Sequence, residues 1–295
     1  MPWGPAHGKT RRRANPRGSS DRPYLLAMPN ANVNGTRLHY EDTGGAGPAI
    51  VFSHGLLWSC RMFDAQVVAL QAAGYRCIAY DHRGQGQSED DSARAISIET
   101  VTEDAAALIE QLEVGPCHFA GLSMGGFVGM RLAARRPHLL RSLILLETSA
   151  EAEPKENVLK YTRLNWTWRL LGPSLIVKPV MQVMFGGPFL SDARRAAERR
   201  HWEAQLRANR RSIWRAVNGV IERAPIAGEL GKIRCPTTII VGEEDRATVP
   251  AKSERIAAAI AGSTLVKIPR AGHSSSIEEG ELVTAAIRAH LDRVR

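Results

Sequence analysis

Short apolar runs alternate with amphipathic stretches along most of the chain. The first run, Pro48 to Phe52, is followed by an amphipathic stretch from Met62 to Ala73 and by a second apolar run from Tyr75 to Tyr80. The alternation then predicts helices at Ile98–Leu112, Met124–Arg136, Ala251–Ala261 and Glu278–Arg293, and strands at Cys117–Leu122, Ser142–Leu146, Thr237–Val241 and Thr264–Ile268. Continuously apolar strands with helices between them are typical of a mostly parallel sheet that helices cover on both faces. The pattern therefore predicts an α/β fold.

Two further strands are predicted ahead of this alternation. Asn34-Gly35 separates two short segments of alternating apolar and polar residues between Ala31 and Tyr40. An Asn-Gly pair in this setting is the strongest short-range signal of a β-hairpin, because both residues accept the positive φ angles of a tight turn. The fold is expected to open with an antiparallel pair.

The alternation stops for about 80 residues, which predicts an inserted helical module, or cap, over residues 151–230. The core then consists of residues 28–150 and 231–295. Within the cap, the apolar stretch from Leu170 to Leu190 is interrupted by prolines and glycines. Such interruptions suit short helices that line a cavity better than a membrane anchor.

The charge of the chain is unevenly distributed. Lys and Arg number 39 and Asp and Glu number 30, a formal net charge of +9 that raises nucleic acid or an anionic membrane surface as possible partners. Residues 1–27 hold six basic residues and one acid, are rich in Pro, Gly and Ser, and are predicted to be a disordered basic extension. The cap holds 14 basic and 8 acidic residues, so the core is close to neutral. We predict no nucleic-acid partner and no stable membrane insertion, with a nucleic-acid-binding or membrane-surface protein as the alternative.

The cysteines predict neither a disulfide framework nor a metal site. Cys60, Cys77, Cys117 and Cys235 are scattered without a C-x-x-C pair, and no histidine pair or cysteine cluster has the spacing of metal ligands. The four cysteines are interpreted as buried thiols of a reducing compartment, which indicates a cytoplasmic protein. No metal and no cofactor is predicted.

A candidate nucleophile lies between a predicted strand and a predicted helix. Gly121-Leu122-Ser123-Met124-Gly125 fits the pattern G-x-S-x-G, in which a sharp turn exposes the serine hydroxyl above the sheet at a helix N-terminus. The glycines are needed because the turn is too tight for larger side chains. The alternative is a glycine-rich turn that contains an incidental serine.

A serine hydroxyl needs a base, and the base needs an orienting acid. Asp245 follows the strand Thr237–Val241, and His273 follows the strand Thr264–Ile268. The nearby Glu243 and Glu244 are alternatives for the acid, as is Glu147, which follows an earlier strand. The alternative for His273 is a loop histidine without a partner.

Five blocks of the chain resemble the α/β-hydrolase superfamily, over nearly all of residues 30–295. These blocks are Ser53-His54-Gly55-Leu56, Asp81-His82-Arg83-Gly84-Gln85-Gly86-Gln87-Ser88, Gly121-Leu122-Ser123-Met124-Gly125-Gly126, Gly242-Glu243-Glu244-Asp245 with Pro250, and Gly272-His273. The resemblance implies the α/β-hydrolase fold with a triad in the order Ser, Asp, His. It is strongest to carboxylesterases, monoacylglycerol lipases and 3-oxoadipate enol-lactonases. Relatives with an aspartate nucleophile are disfavoured, because position 123 is Ser.

The resemblance also assigns supporting roles. The backbone N–H groups of Leu56 and Met124 are expected to form the oxyanion hole, where fixed donors stabilise the tetrahedral intermediate. The block from Asp81 to Ser88 is interpreted as structural, with an Asp81–Arg83 pair bracing the loop. His54 is interpreted as a hydrogen-bonded brace of its own loop.

Four of the six tryptophans, Trp166, Trp168, Trp202 and Trp214, fall in the predicted cap. We expect one or two of these four to face a substrate cavity. The candidates for substrate binding are Trp58, Trp166, Trp202 and Trp214.

Together these features predict a serine hydrolase that cleaves carboxylic esters of small to medium apolar acyl groups through an acyl-enzyme. A lactonase or a cofactor-free perhydrolase (haloperoxidase) would use the same triad and stays open. So does a binding protein on a hydrolase scaffold, although the intact set of Ser123, Asp245 and His273 argues against it. The expected partner is a small-molecule ester or lactone, and the sequence leaves the oligomeric state open.

Overall fold

Eight strands form one sheet in the computed structural model, which describes residues 29–93 and 95–294. The strands are β1 (Asn30–Val33), β2 (Thr36–Asp42), β3 (Ala49–Ser53), β4 (Arg76–Tyr80), β5 (Cys117–Leu122), β6 (Leu140–Leu146), β7 (Thr237–Gly242) and β8 (Thr264–Ile268). Their order in the sheet is β1-β2-β4-β3-β5-β6-β7-β8. The β1–β2 and β2–β4 pairs are antiparallel and the others are parallel. The predicted extension, residues 1–27, lies outside the described residues.

Helices cover both faces of the sheet. They are α1 (Asp64–Ala72), α2 (Ile98–Gln111), α3 (Met124–Arg135), α4 (Lys155–Leu171), α5 (Val177–Met184), α6 (Gly187–Ser191), α7 (Ala196–Ala208), α8 (Trp214–Ile221), α9 (Pro250–Ala259), α10 (Ser275–Glu278) and α11 (Gly280–Arg293). Helix α1 packs against α11, and α2 packs against α3, which also contacts β5 and β6. The prediction of an α/β fold with a mostly parallel sheet is confirmed. None of the helices in the described part of the chain is both long and apolar enough to cross a lipid bilayer.

The opening hairpin is confirmed. Asn34 and Gly35 have φ angles of 46° and 71°, and β1 pairs with β2 from Asn30 opposite His39 to Val33 opposite Thr36. These positive angles are the ones that a two-residue hairpin turn requires.

The closing helix, predicted over Glu278–Arg293, is α11 (Gly280–Arg293) and begins two residues later than expected. A separate short helix, α10 (Ser275–Glu278), precedes it, and the backbone leaves the helical region between the two at Glu279, with φ −131° and ψ 53°. The break places the Glu278 carboxylate among backbone amides of neighbouring loops. This position matters for the candidate site.

The helices α4 to α8 lie between β6 and β7, within residues 151–230, here called the cap segment. Its two ends lie side by side: the carbonyl of Ala150 accepts hydrogen bonds from the N–H groups of Ile226 (2.8 Å) and Ala227 (3.0 Å). Close by, Arg223 Nη1 lies 2.7 Å from Glu153 Oε2 in a buried ion pair. The segment therefore leaves and re-enters the core at one place.

Candidate active site

Ser123 occupies a strained turn between β5 and α3. Its φ and ψ angles are 52° and −107°, a conformation that is unfavourable for a residue with a side chain. The turn is held by a hydrogen bond from Ser123 N to the Leu146 carbonyl (2.8 Å) and by one from Thr148 Oγ1 to the Ser123 carbonyl (2.9 Å). These bonds come from the end of β6, so the sheet itself fixes the position of the serine.

The glycines at both ends of the motif are sterically required. A Cβ atom at Gly121 would lie 2.2 Å from the carbonyl oxygen of Gly125, and one at Gly125 would lie 2.0 Å from the carbonyl oxygen of Ser53. Both contacts are with backbone atoms, which cannot move aside as a flexible side chain can. The close approach of α3 to β3 and β5 explains why small residues flank the serine.

His273 and Asp245 form a buried hydrogen-bonded pair. His273 Nδ1 lies 3.0 Å from Asp245 Oδ1 and 2.9 Å from Oδ2. Asp245 also accepts hydrogen bonds from Ala247 N (2.8 Å), Thr248 N (2.9 Å) and Thr248 Oγ1 (2.7 Å). Since a carboxylate only accepts, the Nδ1 atom of His273 donates and its Nε2 atom is left to act as an acceptor.

The environment keeps Asp245 ionised. Burial alone would raise the pKa of Asp245, but the electrostatic interaction with His273 and the hydrogen bonds from His273 and Thr248 outweigh it and lower the pKa below its ordinary value. A charged Asp245 stabilises His273 when the imidazole gains a proton.

The other predicted acids have different partners. Glu244 Oε2 accepts a hydrogen bond from Gly187 N (2.8 Å) in the cap segment, and Glu147 Oε1 accepts one from Gly242 N (3.1 Å). Complete burial raises the pKa of Glu147 well above its ordinary value, which disfavours the charged form that an orienting acid needs. The hydrogen bonds of the described residues thus pair His273 with Asp245.

Leu56 and Met124 both belong to the surroundings of the serine. Leu56 lines the same cavity as Ser123, and Met124 is the first residue of α3. The N–H groups of the first turn of a helix have no partner within the helix, so Met124 N is suited to bind a developing negative charge. This placement fits the predicted oxyanion hole.

His54 braces the Leu56 loop. Its Nδ1 atom donates to the Gly55 carbonyl (2.7 Å), and its Nε2 atom accepts from His82 N (3.0 Å). Burial lowers the pKa of His54, so the ring is neutral. The interpretation of His54 as a hydrogen-bonded brace is confirmed.

The predicted Asp81–Arg83 pair is wrong. Asp81 instead accepts from the backbone N–H groups of Cys60 and Gln87, each at 2.8 Å. Arg83 forms its ion pairs with Asp104 (2.6 Å) and Asp91 (3.0 Å). The loop folds around Asp81, while Arg83 joins it to α2.

A largely apolar cavity of about 150 Å³ contains both Ser123 and His273. Its apolar walls come mainly from the cap segment: Leu164, Trp168, Ile176, Val180, Val183, Met184, Ile213, Val217, Val220 and Ile221. Its polar lining includes Glu153, Tyr161, Asn165 and Arg223. Burial raises the pKa of Tyr161 to about 12, and the charge of Glu153 adds to this effect. Tyr161 is therefore a neutral hydroxyl at any physiological pH.

The four predicted substrate-binding tryptophans do not line this cavity. Trp58 is buried and packs edge-on against Trp202, with ring centroids 5.4 Å apart. Trp214 lies under the guanidinium of Arg169, which is 4.3 Å from the ring centroid, and Trp166 is 52% exposed.

Trp168 is the tryptophan of the cap segment that lines the cavity. Trp166 and Trp168 are two positions apart in α4, so their side chains leave the helix on nearly opposite sides. Sequence alone could not tell which of the two faces inward.

Glu278 is a functional candidate that the sequence analysis missed. Its Oε2 atom accepts from Gly186 N (2.7 Å) in the cap segment, and its Oε1 atom accepts from Gly272 N (3.0 Å) and Ser274 N (3.2 Å). The carboxylate thereby joins the cap segment to the two residues that flank His273. No local sequence pattern marks such a role, because the amide of Gly186 comes from a segment that is distant in sequence.

A second cluster lies apart from this site. Ligand atoms of His39, Glu41 and Cys60 lie within 4.8 Å of one another in the core. Glu41 also lies 3.5 Å from Arg61, and burial raises the pKa of the Cys60 thiol well above its ordinary value. A protonated thiol beside a paired carboxylate is a poor metal site, and we assign no metal to it.

Several known proteins are similar to this chain over most of its length. One is the RutD protein of Pseudomonas syringae pv. syringae (strain B728a), whose name describes it provisionally as a carbamate hydrolase. It is 29% identical to this chain over 255 residues, which cover 83% of this chain and 93% of RutD. The crystal structure of the enol-lactonase from Burkholderia xenovorans LB400 superposes with a TM-score of 0.82 and 29% identity, covering 90% of this chain and all of that one. A thermophilic esterase from Thermogutta terrifontis gives a TM-score of 0.83 and 28% identity, covering 91% and 99%.

The family to which the chain belongs follows from a match to a family model over residues 46–280. This span includes the strands that carry Ser123, Asp245 and His273, together with the whole cap segment. The chain belongs to the serine aminopeptidase S33 family (Hydrolase_4) of α/β-hydrolases.

Proposed function

We propose that this protein is a serine hydrolase that cleaves carboxylic esters of small to medium apolar acyl groups. One observation carries the proposal: Ser123 and a His273 that is hydrogen-bonded to Asp245 line the same apolar cavity. A nucleophile, a base and an orienting acid beside a concave apolar site are what acyl transfer requires.

The proposed reaction begins with attack of Ser123 Oγ on the ester carbonyl carbon. His273 Nε2 takes the hydroxyl proton, and Asp245 stabilises the imidazolium that forms. The carbonyl oxygen becomes negatively charged, and the N–H groups of Leu56 and Met124 bind it. His273 then protonates the leaving alcohol, so the C–O bond breaks and an acyl-enzyme remains. Water, deprotonated by His273, then attacks the acyl carbon. The bond from this carbon to Ser123 Oγ breaks, the proton on His273 returns to Ser123 Oγ, and the acid is released.

The cavity sets the expected size of the acyl group. A volume of about 150 Å³ is similar to that of an apolar protein cavity that holds benzene. We expect the highest kcat/KM for acyl chains of about four to six carbon atoms, because longer chains exceed this volume.

A lactonase is the second candidate. The observation that favours it is the 29% identity to the enol-lactonase, over 90% of this chain. A lactone undergoes the same serine attack as an ester, and differs only in that its alcohol stays attached to the acyl-enzyme. Because the chain is also similar to the RutD protein, carbamates are included among the compounds to be assayed.

Hydrolysis of p-nitrophenyl esters from acetate to dodecanoate, with simple lactones and carbamates alongside, tests these proposals. Ser123→Ala is expected to lower kcat/KM roughly a thousandfold or more, because no nucleophile remains. The control is Ser92→Ala, which changes an exposed serine. Equal rates for wild type and Ser123→Ala would contradict the mechanism, and a preference for lactones over every linear ester would favour the second candidate.

We also propose a cytoplasmic location. The four cysteines are free thiols, three of them buried, as expected for a protein of a reducing compartment.

A further inference from the structure

The outer face of the cap segment exposes a concentration of large apolar side chains. Eight large hydrophobic residues are exposed in the described part of the chain, and five of them lie between positions 159 and 175. These five are Leu159 (56% exposed), Trp166 (52%), Leu170 (63%), Leu171 (63%) and Leu175 (64%). Exposed apolar residues scattered singly need no explanation, but their concentration in one short segment indicates an interaction site.

The helical geometry of α4 gathers three of these residues into one stripe. Leu159, Trp166 and Leu170 are spaced by seven and four residues, which places them on the same side of a helix with 3.6 residues per turn. Leu164 and Trp168 leave the helix on the opposite side and line the cavity. Helix α4 is therefore apolar on two faces, one toward the cavity and one toward solvent.

The charges around this outer stripe are almost all positive. Exposed basic residues between positions 155 and 178 are Lys155, Lys160, Arg163, Arg169 and Lys178. Glu156 is the one acidic residue in this range. A helix face with leucine and tryptophan at its centre and lysine and arginine around it is the composition of helices that lie in the interface of an anionic membrane.

We propose that this outer face, residues 155–178, docks on the surface of an anionic lipid bilayer. Leu159, Trp166 and Leu170 enter the boundary between headgroups and acyl chains, and the basic side chains contact the lipid phosphates. Charge complementarity favours this occupant, because five cations against one anion suit a uniformly anionic surface. The docked helix lies in the plane of the membrane and does not cross it.

Docking would place the active-site cavity next to the bilayer. The inner face of the docked helix forms one wall of the cavity that holds Ser123 and His273. Apolar esters concentrate in membranes, so the enzyme would meet its substrates there. This consequence rests on the proposed function, whereas the docking itself does not depend on it.

Vesicle flotation tests the proposal on the full chain without substrate. Wild type is expected to bind vesicles of phosphatidylcholine with 30% phosphatidylglycerol, and to bind pure phosphatidylcholine at least tenfold more weakly. The triple variant Leu159→Ser/Leu170→Ser/Leu175→Ser should lose at least tenfold in partitioning to the anionic vesicles. The double variant Val68→Ser/Leu282→Ser, at exposed apolar positions outside the cap segment, should bind like wild type.

Two further variants separate the sources of charge. Lys160→Gln/Arg163→Gln is expected to weaken binding roughly 25-fold, since each basic residue at an anionic surface contributes about fivefold. Lys9→Gln/Arg11→Gln/Arg12→Gln/Arg13→Gln tests the basic extension and should leave the effect of the leucine substitutions intact. Vesicles of brominated lipid should quench wild-type fluorescence more than that of Trp166→Phe, because Trp166 is placed in the acyl boundary.

Several outcomes would overturn the proposal. They are failure of wild type to bind anionic vesicles, equal binding by the leucine variant, and binding that depends only on the extension. Self-association that the leucine substitutions abolish, without vesicle binding, would assign the face to a second copy of the chain. Ser123→Ala should bind vesicles like wild type, so that loss of the proposed esterase activity and loss of docking are distinguishable.

Discussion

Glu278 is a buried side chain whose ionisation falls in the physiological range. Burial raises its pKa from 4.5 to about 7, although hydrogen bonds from three backbone amides oppose the shift. Between pH 4.5 and pH 7 the folded protein therefore holds a proton that the unfolded chain has released. The free energy of unfolding must then fall as the pH rises through this window, by about 3 kcal/mol for this group.

The substitution Glu278→Gln removes this titration. Between pH 5 and pH 8, wild type is expected to lose about 2.5 kcal/mol more unfolding free energy than the variant, measured by urea denaturation at each pH. Glu281→Gln, at an exposed position of α11, should follow wild type. Parallel pH curves for wild type and Glu278→Gln would show that this carboxyl group does not titrate as described.

At the scale of elements, the contact between α3 and β3 depends on the absence of a side chain at Gly125. An alanine there would bring its Cβ within 2.0 Å of the Ser53 carbonyl oxygen, and the helix would have to shift. Gly125→Ala is expected to lower the free energy of unfolding by about 3 kcal/mol, measured by chemical denaturation. Gly228→Ala is the control, because nothing lies within 4 Å of the added atom. If both variants were equally stable, α3 would not pack as closely as described.

The buried pair of Glu153 and Arg223 connects the two ends of the cap segment. Arg223 also donates from Nε to the Glu151 carbonyl (3.0 Å), and its guanidinium lies 4.5 Å from the centroid of the Phe127 ring. Arg223→Met would leave the Glu153 carboxylate buried without its partner, and is expected to cost about 3–5 kcal/mol of unfolding free energy.

A double-mutant cycle separates the ion pair from packing. The variant Glu153→Leu/Arg223→Met removes both charges, so it should be more stable than Arg223→Met alone in the same denaturation experiment. If the changes in the free energy of unfolding caused by Glu153→Leu and by Arg223→Met added up to the change in the double variant, the two charges would not interact.

The elements themselves were largely predictable from the sequence. The predicted strands Cys117–Leu122 and Thr264–Ile268 have the bounds of β5 and β8. Strand β5 is buried along its whole length, as its largely apolar sequence predicts, whereas β8 lies at the edge of the sheet and leaves Lys267 exposed. The short helix α10 and the break at Glu279 that separates it from α11 were not predictable, because one of the hydrogen bonds that accompany the break comes from Gly186, far away in sequence.

At the scale of the whole molecule, residues at strand ends were easier to predict than residues of the cap segment. Asp245 and His273 follow β7 and β8 directly, so the order of parallel strands brings them to one edge of the sheet. Whether Trp166, Trp202 or Trp214 faces the cavity depends on how several short helices pack together, and amino-acid composition does not determine this packing. The tryptophan of the cap segment that lines the cavity is Trp168. The prediction of an Asp81–Arg83 pair was wrong for a similar reason, because Asp104, the partner of Arg83, lies on α2.

The meeting of the two ends of the cap segment makes this part of the molecule a replaceable unit. Because Ala150 is hydrogen-bonded directly to Ile226 and Ala227, we expect changes in the length or sequence of the chain between them to have little effect on the positions of β6 and β7. The elements that hold Ser123, Asp245 and His273 lie outside this interval, whereas most of the cavity wall lies within it. A protein engineer could therefore exchange this interval between members of the family as one cassette to transfer substrate preference, provided that the inserted segment keeps a backbone amide for Glu278 where Gly186 lies.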